Sequence, residues 1–152
     1  MAFTQEMPNV KQLRLEHALH NERACRYLDK KADFADWVIT TAFYSSMHFL
    51  DHKILPYTLN LGGRNITIHN IGDYKRAKRL FTLNKHKAFC QIVEEEAPTV
   101  SIEYNELKDI CWTARYVDYK HDRDASKKAK ESLKKIKDYC KPTLSASSTQ
   151  VS

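Results

Sequence analysis

Trp37-Val38-Ile39-Thr40-Thr41-Ala42-Phe43-Tyr44-Ser45-Ser46-Met47-His48-Phe49-Leu50 is apolar nearly all the way round when wound as a helix. With about 100° between successive residues, Phe34, Val38, Ala42 and Phe49 fall on one side, and Ile39, Phe43, Leu50 and Ile54 on another. A helix that is hydrophobic on several sides must be covered on several sides, so this segment predicts the central helix of a bundle. Asp33 is the expected N-cap, with Asp36 favourably placed in the first turn. Pro56 stops the helix after Leu55. A third stripe, Trp37, Thr41, Tyr44, His48, Asp51 and Leu55, mixes aromatic and polar groups. Trp37, Phe43, Tyr44 and Phe49 are expected to be buried.

Upstream, Asn9 caps a helix that runs to about Lys31, with Val10, Leu13, His17, Ala24 and Leu28 along one face. Downstream, residues 57–72 read as the longest irregular stretch, and they hold all three glycines of the chain. Gly62-Gly63 matches no phosphate-binding fingerprint, because no Gly-Lys-Ser/Thr follows and no strand is expected before it. Asp73 is read as the cap of a short helix through Leu83, with Tyr74, Ala77, Leu80 and Phe81 inward. Asn84 caps another through about Glu96, ended by Pro98, with Ala88, Phe89, Ile92 and Val93 inward. His86 and Cys90 share a face there, which is too few ligands for a metal site.

A further helix opens at Thr99 or Ser101, with Tyr104, Leu107, Cys111, Ala114 and Val117 or Asp118 as its core face. Trp112, Tyr116 and Tyr119 lie roughly opposite. Aromatics there point to a second buried surface, supplied by another helix or by a second chain. The last helix runs from about Asp124 to Cys140. Ala125, Ala129, Ser132, Leu133, Ile136 and Cys140 line one face of it, and Lys127, Lys130, Lys134, Lys137 and Lys141 the other. Such a stripe is commonly a solvated face, and it can also track a phosphate backbone.

The chain has 152 residues, 42% of them hydrophobic, which is enough to bury one core. Three glycines and four prolines leave few breaks, favouring long helices. These features predict an all-α fold, a compact up-and-down bundle of about five to six helices. It forms a single domain over residues 1–141, with residues 142–152 as a disordered tail. A net charge of +6 suits a polyanionic partner. Cys25, Cys90, Cys111 and Cys140 form no Cys-x-x-Cys pair, so reduced thiols are expected rather than a disulfide framework or zinc ribbon. Met1 to Pro8 lack the apolar core of a signal peptide, and no apolar run approaches the roughly 18–20 residues of a membrane span. A cytoplasmic protein without a membrane partner is the expectation.

The chemistry is suggested by Thr113-Ala114-Arg115-Tyr116-Val117-Asp118-Tyr119-Lys120-His121, in which an arginine is followed after five residues by a histidine. Arginine offers a permanent charge and a donor fork suited to phosphate, and histidine transfers protons near neutral pH. In a chain with 25 lysines and arginines and seven histidines such a spacing also arises by chance, so the pair alone does not define an activity.

Two stretches nevertheless resemble the HEPN-domain family. One is Trp37 to Asp51, with its Phe43-Tyr44 pair and His48. The other is Tyr104-x-x-Leu107 followed by Ala114-Arg115-Tyr116 and His121. The likeness covers about residues 9–141. It implies a helical bundle that often dimerises, with the Arg-His motifs of both chains meeting in one cleft. It further implies a metal-independent endoribonuclease of toxin–antitoxin or phage-defence settings, with RNA, a second copy and an antitoxin protein as partners and no cofactor. On this reading Arg115 and His121 are catalytic, and Lys127, Lys130, Lys134 and Lys137 bind RNA. Tyr116 departs from the small polar residue usual after the arginine in active members. Arg123 stands where one toxin subgroup has a tyrosine modified by its antitoxin. Two alternatives remain: a non-catalytic HEPN module with Arg115 held in a structural ion pair to Asp118 or Asp122, and a metal-binding bundle using His48, His52 and a histidine from another helix.

Overall fold

The computed structural model describes residues 9–118 and 123–142. Six helices and one hairpin follow in order among these residues: α1 (Val10–Asp29), α2 (Ala35–Ile54), β1 (Tyr57–Leu61), β2 (Arg64–Ile68), α3 (Ile71–Ala77), α4 (Lys85–Glu96), α5 (Ser101–Tyr116) and α6 (Arg123–Cys140). The architecture is the helical bundle that the sequence predicts.

Helix α2 is its axis. It packs most extensively on α1 and also on α6 and α5. Val38, Ile39, Ala42, Phe43, Phe49 and Leu50 are buried on its different sides. Small residues let α1 approach closely: Ala18 and Ser45 are both fully buried, and the Ser45 hydroxyl donates to the Ala18 carbonyl at 2.7 Å. That bond satisfies a buried hydroxyl that would otherwise lack a partner. Arg14 ties α1 to the end of α2 through an ion pair with Asp51 at 3.2 Å, and to the segment after the hairpin through the His69 carbonyl at 2.8 Å.

Several expectations are corrected. Residues 57–68 are an antiparallel hairpin, with Tyr57 opposite Ile68, Leu59 opposite Ile66 and Leu61 opposite Arg64. Gly62 and Gly63 make its two-residue turn at φ 57° and 82°, conformations that are cheap only without a Cβ. The alternation Tyr57-Thr58-Leu59-Asn60-Leu61 carries the strand signal. A strand therefore does precede the glycines, though no phosphate-binding loop follows. Asp33 does not cap α2: Phe34 stands at the N-cap position, without a side-chain bond to the helix. Trp37 is 54% exposed rather than buried, because the stripe of α2 that carries it is the side only partly covered by neighbours. Helix α3 is capped by Asn70, whose side chain accepts from the Asp73 amide, and it ends at Ala77 instead of Leu83. Arg79 takes a left-handed φ of 57°, and the Leu80 amide returns to the Lys75 carbonyl, a Schellman-type stop that leaves Phe81 70% exposed. Helix α5 ends at Tyr116, so Val117 and Asp118 lie beyond it and are exposed.

The amphipathic reading of α6 holds. Ala129, Ser132, Leu133 and Ile136 are buried, while Ala125 and Cys140 are half-buried. No helix among the described residues is long and apolar enough to cross a membrane. The expected tail lies outside the described residues from position 143.

Candidate functional site

Arg115 sits in the last turn of α5 and is exposed. Its Nη1 donates to the Tyr44 hydroxyl at 2.9 Å, so α2 positions it across the bundle. The guanidinium carbon lies 5.3 Å from the Tyr116 ring centroid and 6.0 Å from that of Tyr44, within cation–π range of both. One turn back, Trp112 pairs with Tyr116 at 4.5 Å between ring centroids and an interplanar angle of 42°. Both rings are more than 60% exposed, an apolar surface that water solvates poorly. These aromatics are outward because Tyr104, Leu107, Cys111 and Ala114 occupy the buried face of the same helix.

Helix α4 closes the site. Asn84 caps it by accepting from the Lys87 amide, and Ala88, Phe89, Ile92 and Val93 bury its inner face. His86, in the first turn, is left exposed. Its ring centroid lies 5.9 Å from that of Phe43 and 6.5 Å from that of Tyr44. His86, Tyr44, Trp112, Arg115 and Tyr116 thereby line one cleft of about 410 Å³, with Phe43 and Cys111 also in its wall. That volume is in the range of small-ligand pockets. Lys87 and Lys108 add positive charge and Asp109 one carboxylate, the last 3.4 Å from Lys108. Burial pushes the Cys111 thiol above its ordinary value, opposed by its bond to Thr40 and by Arg115, so the cysteine is no activated nucleophile.

The proposed partner of Arg115, His121, lies outside the described residues, as do Tyr119 and Asp122. The lysines of α6 divide. Lys130 pairs with Asp29 at 2.7 Å and Lys137 with Glu22 at 2.8 Å, which spends their charge on holding α6 to α1. Lys127 and Lys134 are exposed and form no ion pair among the described residues. Lys127 also borders a separate cleft with Lys30, Lys31 and Arg123.

His48 is half-buried, with His17 edge-on at 5.0 Å between ring centroids. Its Nδ1 has no hydrogen-bond partner among the described residues. Burial, His17 and Arg14 all lower its pKa below the ordinary imidazole value. His52 donates from Nδ1 to the Lys11 carbonyl at 2.7 Å. No group of three or more His, Cys, Asp or Glu side chains is placed to hold a metal ion among the described residues.

The sequence reading missed His86 as a site residue. It lies off the apolar face of an amphipathic helix, far in sequence from both Tyr44 and Arg115. Its pairing with Cys90 dissolves in the fold, where Cys90 is buried and His86 is not. No family model, curated protein or solved structure matches this chain.

Proposed function

We propose that this chain is a metal-independent endoribonuclease of HEPN type, acting on single-stranded RNA. The carrying observation is the placement of Arg115 at a cleft beside the exposed Trp112–Tyr116 pair. Unpaired bases stack on aromatic rings, and a guanidinium beside them binds the phosphate of the same nucleotide. The RNA 2′-hydroxyl attacks the adjacent phosphorus, His121 transfers a proton, and Arg115 neutralises charge on the phosphoryl oxygens. DNA lacks that nucleophile and is not cut. Lys127 and Lys134 guide the strand. A second copy docks against the outer edge of the face carrying Trp112, Tyr116 and Tyr119, leaving the Arg115 cleft open to RNA at the mouth of the groove between the two chains, and an antitoxin protein restrains the enzyme in a toxin or phage-defence role.

The second reading, a non-catalytic module that binds RNA or a protein, is favoured by the Arg115–Tyr44 bond, which gives the arginine a structural task. Purified protein incubated with a mixed RNA pool in excess chelator separates the two. Products ending in 2′,3′-cyclic phosphate, absent with Arg115→Ala and with His121→Ala, are expected. RNA binding without cleavage by the wild type establishes the non-catalytic module instead.

A further inference from the structure

Cleavage by 2′-hydroxyl attack needs two proton transfers. One group takes the proton of the 2′-hydroxyl as the O2′–P bond forms. Another gives a proton to the 5′ oxygen as the P–O5′ bond breaks, leaving a 2′,3′-cyclic phosphate and a 5′-hydroxyl. The Arg-His motif supplies a single histidine per chain. Among the described residues, His86 is the only histidine lining the Arg115 cleft.

Its position suits proton transfer. The ring is exposed and lies 6.5 Å, centroid to centroid, from Tyr44, the same side chain whose hydroxyl receives the Arg115 guanidinium at 2.9 Å. A phosphate held by Arg115 is thus one aromatic ring away from an imidazole. The Tyr44 hydroxyl accepts from Arg115, which leaves its own hydrogen to donate to a phosphoryl oxygen. Phe43 walls the apolar side of the imidazole, and α4, anchored by its buried face, fixes the backbone that carries it. An imidazole lining the cleft of a phosphate-binding arginine can serve as a general acid or base, directly or through one water.

We propose that His86 is an acid–base group of the Arg115 cleft, transferring one of the two protons that cleavage requires. The proposal rests on the ribonuclease reading.

The test is single-turnover cleavage of a short RNA in chelator by wild type and His86→Ala, across pH and with added imidazole. Binding is measured in parallel on the same oligonucleotide with a 2′-deoxy sugar at the scissile position. His86→Ala is expected to slow cleavage about 100-fold or more, the usual scale of general acid–base catalysis. It should also lose one limb of the pH–rate profile and recover rate with imidazole, while binding the uncleavable strand within about threefold of wild type. An active wild type with an equally active His86→Ala overturns the proposal and leaves the ribonuclease reading standing. Loss of binding in step with cleavage, with no rescue by imidazole, makes His86 a binding residue and overturns it as well. A wild type that never cleaves removes both the reading and the proposal.

Discussion

Phe43→Ala is the substitution that most directly tests how fold and cleft depend on one another. The Phe43 side chain is 4% exposed, with its ring 5.7 Å from that of Tyr104 at an interplanar angle of 30°. It also lies 5.3 Å from Tyr44 and 5.9 Å from His86. A buried phenylalanine removes about 150–250 Å² from water, worth about 4–6 kcal/mol at about 25 cal/mol per Å². Alanine keeps the share due to its own methyl group, and truncations of this kind cost about 3–5 kcal/mol. The Tyr104 hydroxyl, buried without a hydrogen-bond partner among the described residues, gives any water entering the cavity something to bind. The expected loss is therefore about 3–4 kcal/mol, the lower half of the range. Urea unfolding followed by far-ultraviolet circular dichroism measures it, as a lower midpoint at an unchanged slope. A loss below about 1 kcal/mol would mean that α2 is peripheral at this point and would refute the reasoning about its central place.

The divided lysines of α6 should separate binding from stability. Replacing Lys127 and Lys134 by alanine should lower the slope of log K against log salt for single-stranded RNA by about 1.4, with little change in the midpoint of unfolding. Lys137→Ala breaks the ion pair to the largely buried Glu22 and should instead cost about 1 kcal/mol in a urea titration. Trp112→Glu places a charge in the exposed aromatic pair and should convert a dimer to monomers in sedimentation, whereas a dimer that survives it uses another face. His48 has a pKa lowered in the fold, so below the ordinary imidazole value of about 6.5 the unfolded chain binds the extra proton more readily. Its contribution is present above that value and is lost as pH falls toward the folded pKa. Wild type should lose more melting temperature than His48→Gln between pH 7.5 and 5.5, and equal losses would show that His48 is not responsible.

The bundle and the place of α2 within it were legible because periodicity reports burial directly: each apolar stripe of Val38, Ala42 and Phe49 or Ile39, Phe43 and Leu50 demands a neighbour. Periodicity does not say which neighbour arrives or where coverage fails. Trp37 is as apolar as Phe43, yet its side of α2 stays open, and only the packing of the other helices decides that. The hairpin was written in the alternation of residues 57–61 and the Gly62-Gly63 pair, but its strands are short and their pattern easily passes for loop.

The candidate site divides in the same way. Arg115 and the aromatics opposite the core face of α5 could be picked out locally, since helical spacing sorts the faces of a single helix. The contact of Arg115 with Tyr44, 71 residues away, could not, nor could the arrival of His86 beside them. Local sequence determined which side chains turn outward on each helix. Tertiary packing decided which outward faces meet, because the buried faces of α2, α4 and α5 set their relative positions, and the exposed cleft residues His86, Trp112, Arg115 and Tyr116 are carried to one another by a core they do not belong to.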